Sequence, residues 1–381
     1  VWLFAAMGAL VVANLYYNQP LLAEIAADFG APRGATGYVS TLTQAGYALG
    51  LVLFVPLADV REHRSLVMML LVCVAGALAA VALSPSLAWL AGASFVLGLT
   101  TVVPQIIVPF AAGLASPEQR GRVVGLVVGG LLIGILGART VAGVLGAALG
   151  WRWVFGLAAG MMLVLAVVAW LAFPRVAPAA SLTYRQLLGS MSQLLRTERV
   201  LGEVALTGAC VFGAFSAFWT TLAFRLQTPP LHYGARAAGL FGLVGIVGAG
   251  VAPLTGRVTD RRDPRVTGAI GIGLAAAAFA VFLAAGETVA GLVAGVILLD
   301  AGTQSVGVSN QARIYRLPAE LHGRLNTVYM ATYFAGGAAG SLLGSWAWTH
   351  WDWIGVCLVG LGMLAGAALV HLRGRRRLAA I

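Results

Sequence analysis

The chain has 381 residues, of which 60% are hydrophobic and only 10% charged. A soluble globular surface needs about 25% charged residues. This composition therefore excludes an ordinary soluble enzyme, a secreted disulfide domain and a disordered regulator, and it points to a protein that crosses a membrane many times. All 24 basic residues are arginine, against 13 acidic ones, for a formal charge of +11; the bias is expected from cytoplasmic membrane loops, so no nucleic-acid partner is expected.

A spanning helix needs about 20 mostly apolar residues. Twelve such runs are expected in chain order: 2–27, 36–57, 65–83, 88–114, 123–146, 152–173, 201–225, 237–256, 266–285, 289–312, 325–346 and 353–371. Charge, proline or Ser/Thr clusters break them, as at Pro32-Arg33, Asp59 to Arg64, Ser84-Pro85 and Ser116-Pro117-Glu118. The first run has no charged leader segment and reads as a spanning helix rather than a signal peptide. With both ends inside, 19 arginines fall on the cytoplasmic side and four outside, while Arg139 lies within a span. That asymmetry fixes the expected orientation.

The longest gap is 174–200. Leu182, Leu187-Leu188, Met191 and Leu194-Leu195 put apolar residues on one helical face there, and Ser181 or Thr183 can cap its start. A short amphipathic helix on the cytoplasmic membrane surface is expected. The gap divides the chain into an N-terminal six-helix bundle, 1–173, a cytoplasmic linker, 174–200, and a C-terminal six-helix bundle, 201–381.

The halves repeat. Trp151-Arg152-Trp153 recurs as Trp351-Asp352-Trp353, Pro56-Leu57 with Asp59 recurs as Pro253-Leu254 with Asp260, and Glu118 with Gly121-Arg122 recurs as Glu320 with Gly323-Arg324, all about 200 residues apart. A duplicated six-helix unit is a transporter scaffold with its site near the midplane.

The chain resembles the major facilitator superfamily over essentially its whole length. Gly256-Arg257-Val258-Thr259-Asp260-Arg261 is similar to the family's loop signature, and Pro56-Leu57-Ala58-Asp59 to Arg64 is a degraded first copy. Gly150-Trp151-Arg152-Trp153-Val154-Phe155 resembles the start of the sixth helix. Asn14-Leu15-Tyr16-Tyr17-Asn18-Gln19-Pro20 and Ser309-Asn310-Gln311-Ala312-Arg313-Ile314-Tyr315 resemble a bacterial subgroup grouped with drug:proton antiporters. The fourth helix lacks the arginine that many proton-linked relatives carry early in it. The fifth has Ala138-Arg139-Thr140-Val141-Ala142-Gly143, with Arg where the antiporter signature has Pro, so antiport is not carried by those motifs. The implied fold is all-α: twelve transmembrane helices in two pseudo-symmetric six-helix bundles. The implied place is a bacterial inner membrane, multi-pass, with both termini cytoplasmic, as a monomer.

Ionisable groups inside a bilayer cost about 2.5–3.5 kcal/mol at a helix centre. Asp300 lies eleven residues into its span, about 17 Å deep, and is expected to couple transport to protons or to anchor a cation. Gln304 and Gln311 extend a polar stripe below it. Arg139 is expected to contact an anion or tune a carboxylate; a direct pair with Asp300 is only a guess, since the resemblance places the fifth and tenth helices in opposite halves and not as obvious neighbours. The resemblance places helices one, four, seven and ten around the cavity, so Tyr17, Asn18, Gln105 and Trp219 are substrate-lining candidates, joined by Gln304 and by Tyr329 and Tyr333. It also implies a gating role for Asp59, Arg64, Asp260 and Arg261.

Cys73, Cys210 and Cys357 lie far apart, and the five histidines fall in loops or at span ends. No metal, cofactor or enzyme activity is expected. The expected activity is secondary transport: proton-coupled efflux of a small organic compound by alternating access. The alternative is a uniporter or anion exchanger that uses Arg139 without protons.

Overall fold

The computed structural model describes residues 1–116, 118–176, 183–250, 255 and 263–378. The described helices are α1 (Trp2–Ala13), α2 (Leu22–Asp28), α3 (Gly37–Val60), α4 (His63–Ala82), α5 (Leu87–Thr100), α6 (Val103–Leu114), α7 (Arg120–Leu149), α8 (Trp151–Ala172), α9 (Tyr184–Thr197), α10 (Arg199–Leu226), α11 (Ala235–Ala249), α12 (Pro264–Ala285), α13 (Val289–Ile314) and α14 (His322–Leu378). No strand occurs among the described residues.

Nine helical stretches among the described residues are long and apolar enough to cross a membrane. One of them, α14, is two spans joined end to end, with non-helical backbone at Trp351 and Asp352. The first and eighth expected spans appear as the shorter apolar helices α1 and α11. Large apolar side chains such as Trp2, Leu83, Ile133 and Leu171 are exposed around the outside, where lipid is their natural solvent.

Two spans differ from the continuous helices expected. The run 2–27 breaks after Ala13. The amides of Asn14, Leu15 and Tyr16 bond three residues back, a tighter winding than the α-helix. A short 3₁₀ turn, Gln19–Leu21, then leads into α2. Pro20 has no amide to continue the ladder. The run 88–114 breaks between α5 and α6, where the Thr101 amide is shared between the Leu97 and Gly98 carbonyls and Pro104 follows. Interrupted spans at membrane depth are tolerated where they line a cavity.

Glycines set the closest helix approaches. A Cβ at Gly98 would run into the Thr43 carbonyl, one at Gly46 into the Phe95 carbonyl and one at Gly50 into the Leu99 carbonyl, so α3 and α5 touch backbone to backbone. The two halves of the chain meet chiefly through α3 with α14 and α7 with α11. Gln44 on α3 donates to Ser341 on α14 at 3.0 Å and accepts from Ser216 on α10 at 3.2 Å.

The linker helix α9 starts with a capping box of Thr183 and Gln186, as its sequence suggested; Ser181 and Leu182 lie outside the described residues. Part of its apolar face packs onto the bundle, while Leu188 is half-buried and Leu195 exposed. Leu187, Met191 and Leu194 are buried, and Met191 and Leu194 share a cluster with Leu201, Val204, Ile314 and Val328. The Tyr184 hydroxyl donates to the Leu53 carbonyl of α3 at 2.8 Å. This helix marks the linker end of the molecule; the opposite end is the far end.

Candidate functional site

The break in the first span creates the centre of the site. It presents Gln19 to Arg139 on α7, whose Nε donates to Gln19 Oε1 at 2.7 Å. Arg139 is 1% exposed. Its guanidinium carbon lies 4.0 Å from the Trp219 ring centroid, 4.9 Å from that of Tyr16 and 5.7 Å from that of Phe215. Trp219 and Phe215 come from α10, so the arginine is held between the two halves by rings from both. Its Nη1 and Nη2 atoms have no hydrogen-bond partner, and neither does Trp219 Nε1. Toward the far end, Arg139 itself lines, with Gln19, Pro20, Trp219, Leu222, Ala223 and Ala238, a crevice too tight for a water molecule.

Asp300 on α13 is 4% exposed, and its Oδ2 has no hydrogen-bond partner. It lies within the electrostatic reach of Arg139, although no ion pair joins the two. The reason they meet is a glycine face on α11. Gly242 sits against the Leu136 carbonyl and the Arg139 Cβ, and Gly245 leaves space for both Leu136 and the Asp300 carboxyl. A side chain at 242 would press against the α7 backbone, and one at 245 would crowd Leu136 and come into contact with the Asp300 carboxyl. Glycine at every third position, 239, 242 and 245, was the available signal.

From Asp300 toward the linker end the glutamines of α13 become less buried. Gln304 is half-buried one turn on, and Gln311 is exposed further toward the linker end. Tyr333 is half-buried, feels both Asp300 and Tyr16, and stacks on Phe212 with centroids 4.0 Å apart. Gln105 is half-buried and hydrogen-bonded to the buried Tyr47 hydroxyl, while Tyr17 is half-buried. Thus Arg139, Trp219, Asp300 and Tyr333 belong to one region.

Two candidates make contacts between spans. Asn18 donates to Thr43 Oγ1 at 3.2 Å and accepts from Ser40 at 3.1 Å, which ties the first span to the second. Tyr329 is buried against Asn310. Tyr16 and Gln19 stand in the motif of the first span without being read as lining residues, and sequence reasoning missed Gln44 and Phe215.

At the linker end, Asp59 is exposed and faces His63 and, across the halves, Arg324. Arg64 is half-buried beside it in sequence, and Asp260 and Arg261 lie outside the described residues. A second charge cluster went unforeseen: Glu203 Oε2 lies 2.8 Å from both Arg265 Nη2 and Arg313 Nη2, which ties α10, α12 and α13 together. Among the described residues no group of three or more His, Cys, Asp or Glu is placed to hold a metal.

At the far end Asp28 accepts hydrogen bonds from Arg152 and from the Trp151 indole. The Arg152 hydrogen bond holds its carboxyl below the usual carboxylate value. A carboxylate depressed by folding contributes stability above its unfolded pKa and loses it as pH falls through the folded one. Thermal unfolding between neutral pH and about pH 3 should show wild type losing this contribution, and Asp28→Asn should lack that part of the acid dependence. The pair is exposed, so the difference should stay below about 1 kcal/mol; identical pH profiles would refute it.

Broken spans around buried polar groups at membrane depth define a multi-pass transport protein. The sequence matches the Major Facilitator Superfamily over residues 4–316, and the chain belongs to that family. It is 40% identical over 368 residues to the uncharacterized transporter YgaY of Escherichia coli O157:H7, covering 97% of this chain and 93% of that one. Its fold is similar to the nucleoside transporter NupG, with a TM-score of 0.75, 13% identity and coverage of 97% and 99%. It is also similar to a bacterial homologue of the human lysosomal transporter Spinster in an inward-facing, unoccupied conformation, with a TM-score of 0.72, 14% identity and coverage of 97% and 93%. Members of this family bind small-molecule substrates within the membrane.

Proposed function

We propose that the protein is a proton-coupled secondary transporter that exports a small organic compound across a bacterial inner membrane. Two bundles, 1–173 and 201–381, rock about the Arg139–Asp300 region, with both termini and the linker end cytoplasmic. Asp300 carries the proton. The observation that bears most weight is its buried, partnerless Oδ2 at the head of a stripe that grows more exposed toward the linker end. A carboxyl in apolar surroundings with a wet path on one side can exchange a proton with that side alone. Asp59 and Arg324, together with Arg64, Asp260 and Arg261, serve the gate. Tyr17 and Gln105 border the cavity.

The test is proton movement in proteoliposomes loaded with a pH dye and challenged with a panel of antibiotics, sugars, amino acids and metal ions. Substrate addition should shift the internal pH in wild type, and Asp300→Asn should abolish the shift while leaving the protein folded. Substrate flux without a pH change would sink the proton-coupled reading. It would favour facilitated transport or anion exchange through Arg139, a second reading supported by the two unpaired Nη atoms.

A further inference from the structure

Two opposite charges, both buried and both short of partners, face one region walled by aromatic rings. A chain that needed only stability would join such charges to each other or replace both with apolar residues. Here neither is done. Arg139 is fixed through Nε to Gln19, its guanidinium carbon lies 4.0 Å from the Trp219 ring centroid, and Nη1 and Nη2 have no acceptors. Asp300 stands on the continuous helix α13 with Oδ2 without a donor. No ion pair joins them, although each lies within the other's field. Tyr16, Phe215, Trp219 and Tyr333 border the same region.

We propose, on the reading that this region is the transport site, that it takes an aromatic zwitterion: a small molecule with a carboxylate, a protonated amine and a ring. The carboxylate oxygens would accept from Nη1 and Nη2, the two-point geometry that guanidinium offers to carboxylates. Trp219 Nε1, also without an acceptor, is a further donor beside them. The ammonium donates to Asp300 Oδ2, and the ring packs among the four aromatic side chains. Selectivity follows from what is left unmet. A simple amine leaves the arginine unpaired and a simple acid leaves the aspartate unpaired, and sites that bury unmet polar groups reject such analogues strongly. The ammonium needs Asp300 as carboxylate, so the proton of the carboxyl leaves to cavity water as the ligand arrives. This ties ligand choice to proton release.

The experiment is binding to the purified, intact protein by calorimetry and thermal shift. The probes are phenylalanine, N-acetylphenylalanine and phenylalaninamide, followed by the longer set of 4-(aminomethyl)benzoate, 4-methylbenzoate and 4-methylbenzylamine. In at least one set the zwitterion should bind more than about tenfold tighter than either singly charged analogue. Asp300→Asn should turn the preference toward the acid, and Arg139→Gln toward the amine; either reversal suffices where the other variant fails to fold. A singly charged analogue that binds as tightly as its zwitterion overturns the inference, and so does failure of both zwitterions to bind. An Asp300-dependent pH change driven by a simple amine, with no zwitterion binding, would overturn it while leaving proton coupling intact.

Discussion

Gly98→Val should sharply reduce recovery of folded protein. The Cβ of any residue at 98 would overlap the Thr43 carbonyl, and the valine methyls would reach further into α3. The collision is with backbone, so no rotamer change relieves it. The crossing is also reciprocal, because Gly46 and Gly50 on α3 meet the Phe95 and Leu99 carbonyls on α5. Relief therefore requires moving the whole of α3, which carries Tyr47 and Gln44 to the cavity and to the opposite half. Overpacking within a core costs about 1–3 kcal/mol where side chains can shift; a backbone-to-backbone contact has no such outlet and should exceed that range. Against a total stability of about 5–15 kcal/mol, the variant should give little monodisperse protein and a lowered Tm. Wild-type yield and Tm for Gly98→Val would show that the two helices are not in this contact.

What the sequence made legible follows the strength of each physical signal. Hydropathy alone separates apolar runs, so the spans and the linker were readable, and the cap at Thr183 was readable from its side chain. The breaks in the first and fourth spans were not. Pro20 and Pro104 stand at those breaks, but Pro56 and Pro109 lie inside α3 and α6 without ending them. A proline states that one hydrogen bond is missing; whether the helix breaks there depends on what packs around it. The tight winding after Ala13 also shifts the helical phase, so Tyr16 rather than Tyr17 turns its ring toward Arg139. The apolar face of α9 was legible as a face, but periodicity does not distinguish lipid from protein as its partner. Asp300 and Arg139 stood out because charge in an apolar run is rare. Their meeting depends on the bare glycine face of α11, a property of a third helix that neither residue's own neighbourhood reveals.

The same glycine face makes the second large effect one of conformation and not of folding. Gly239 and Gly143 cross where α11 meets α7, toward the far end. A Cβ at 239 would stand 2.6 Å from the Arg139 carbonyl, and one at 143 would stand 2.5 Å from the Ala235 carbonyl. Unlike α3 and α5, these helices belong to different halves, so a wedge between them can be relieved by a rigid-body movement that leaves each half packed. Gly239→Val should therefore open the far end, where Leu222 and Ala238 now close the crevice, and close the linker end. Single cysteines placed in a background without the three native ones read this directly. Maleimide labelling at Leu222→Cys should rise about tenfold, and labelling at the exposed Gln311→Cys should fall by a similar factor; tenfold corresponds to about 1.4 kcal/mol between the two states. Transport should drop because one state is now too deep to leave, while yield and Tm stay near wild type. If labelling at both positions rises and Tm collapses, the α7–α11 crossing holds the fold together rather than setting which end is open, and the two halves do not move about it.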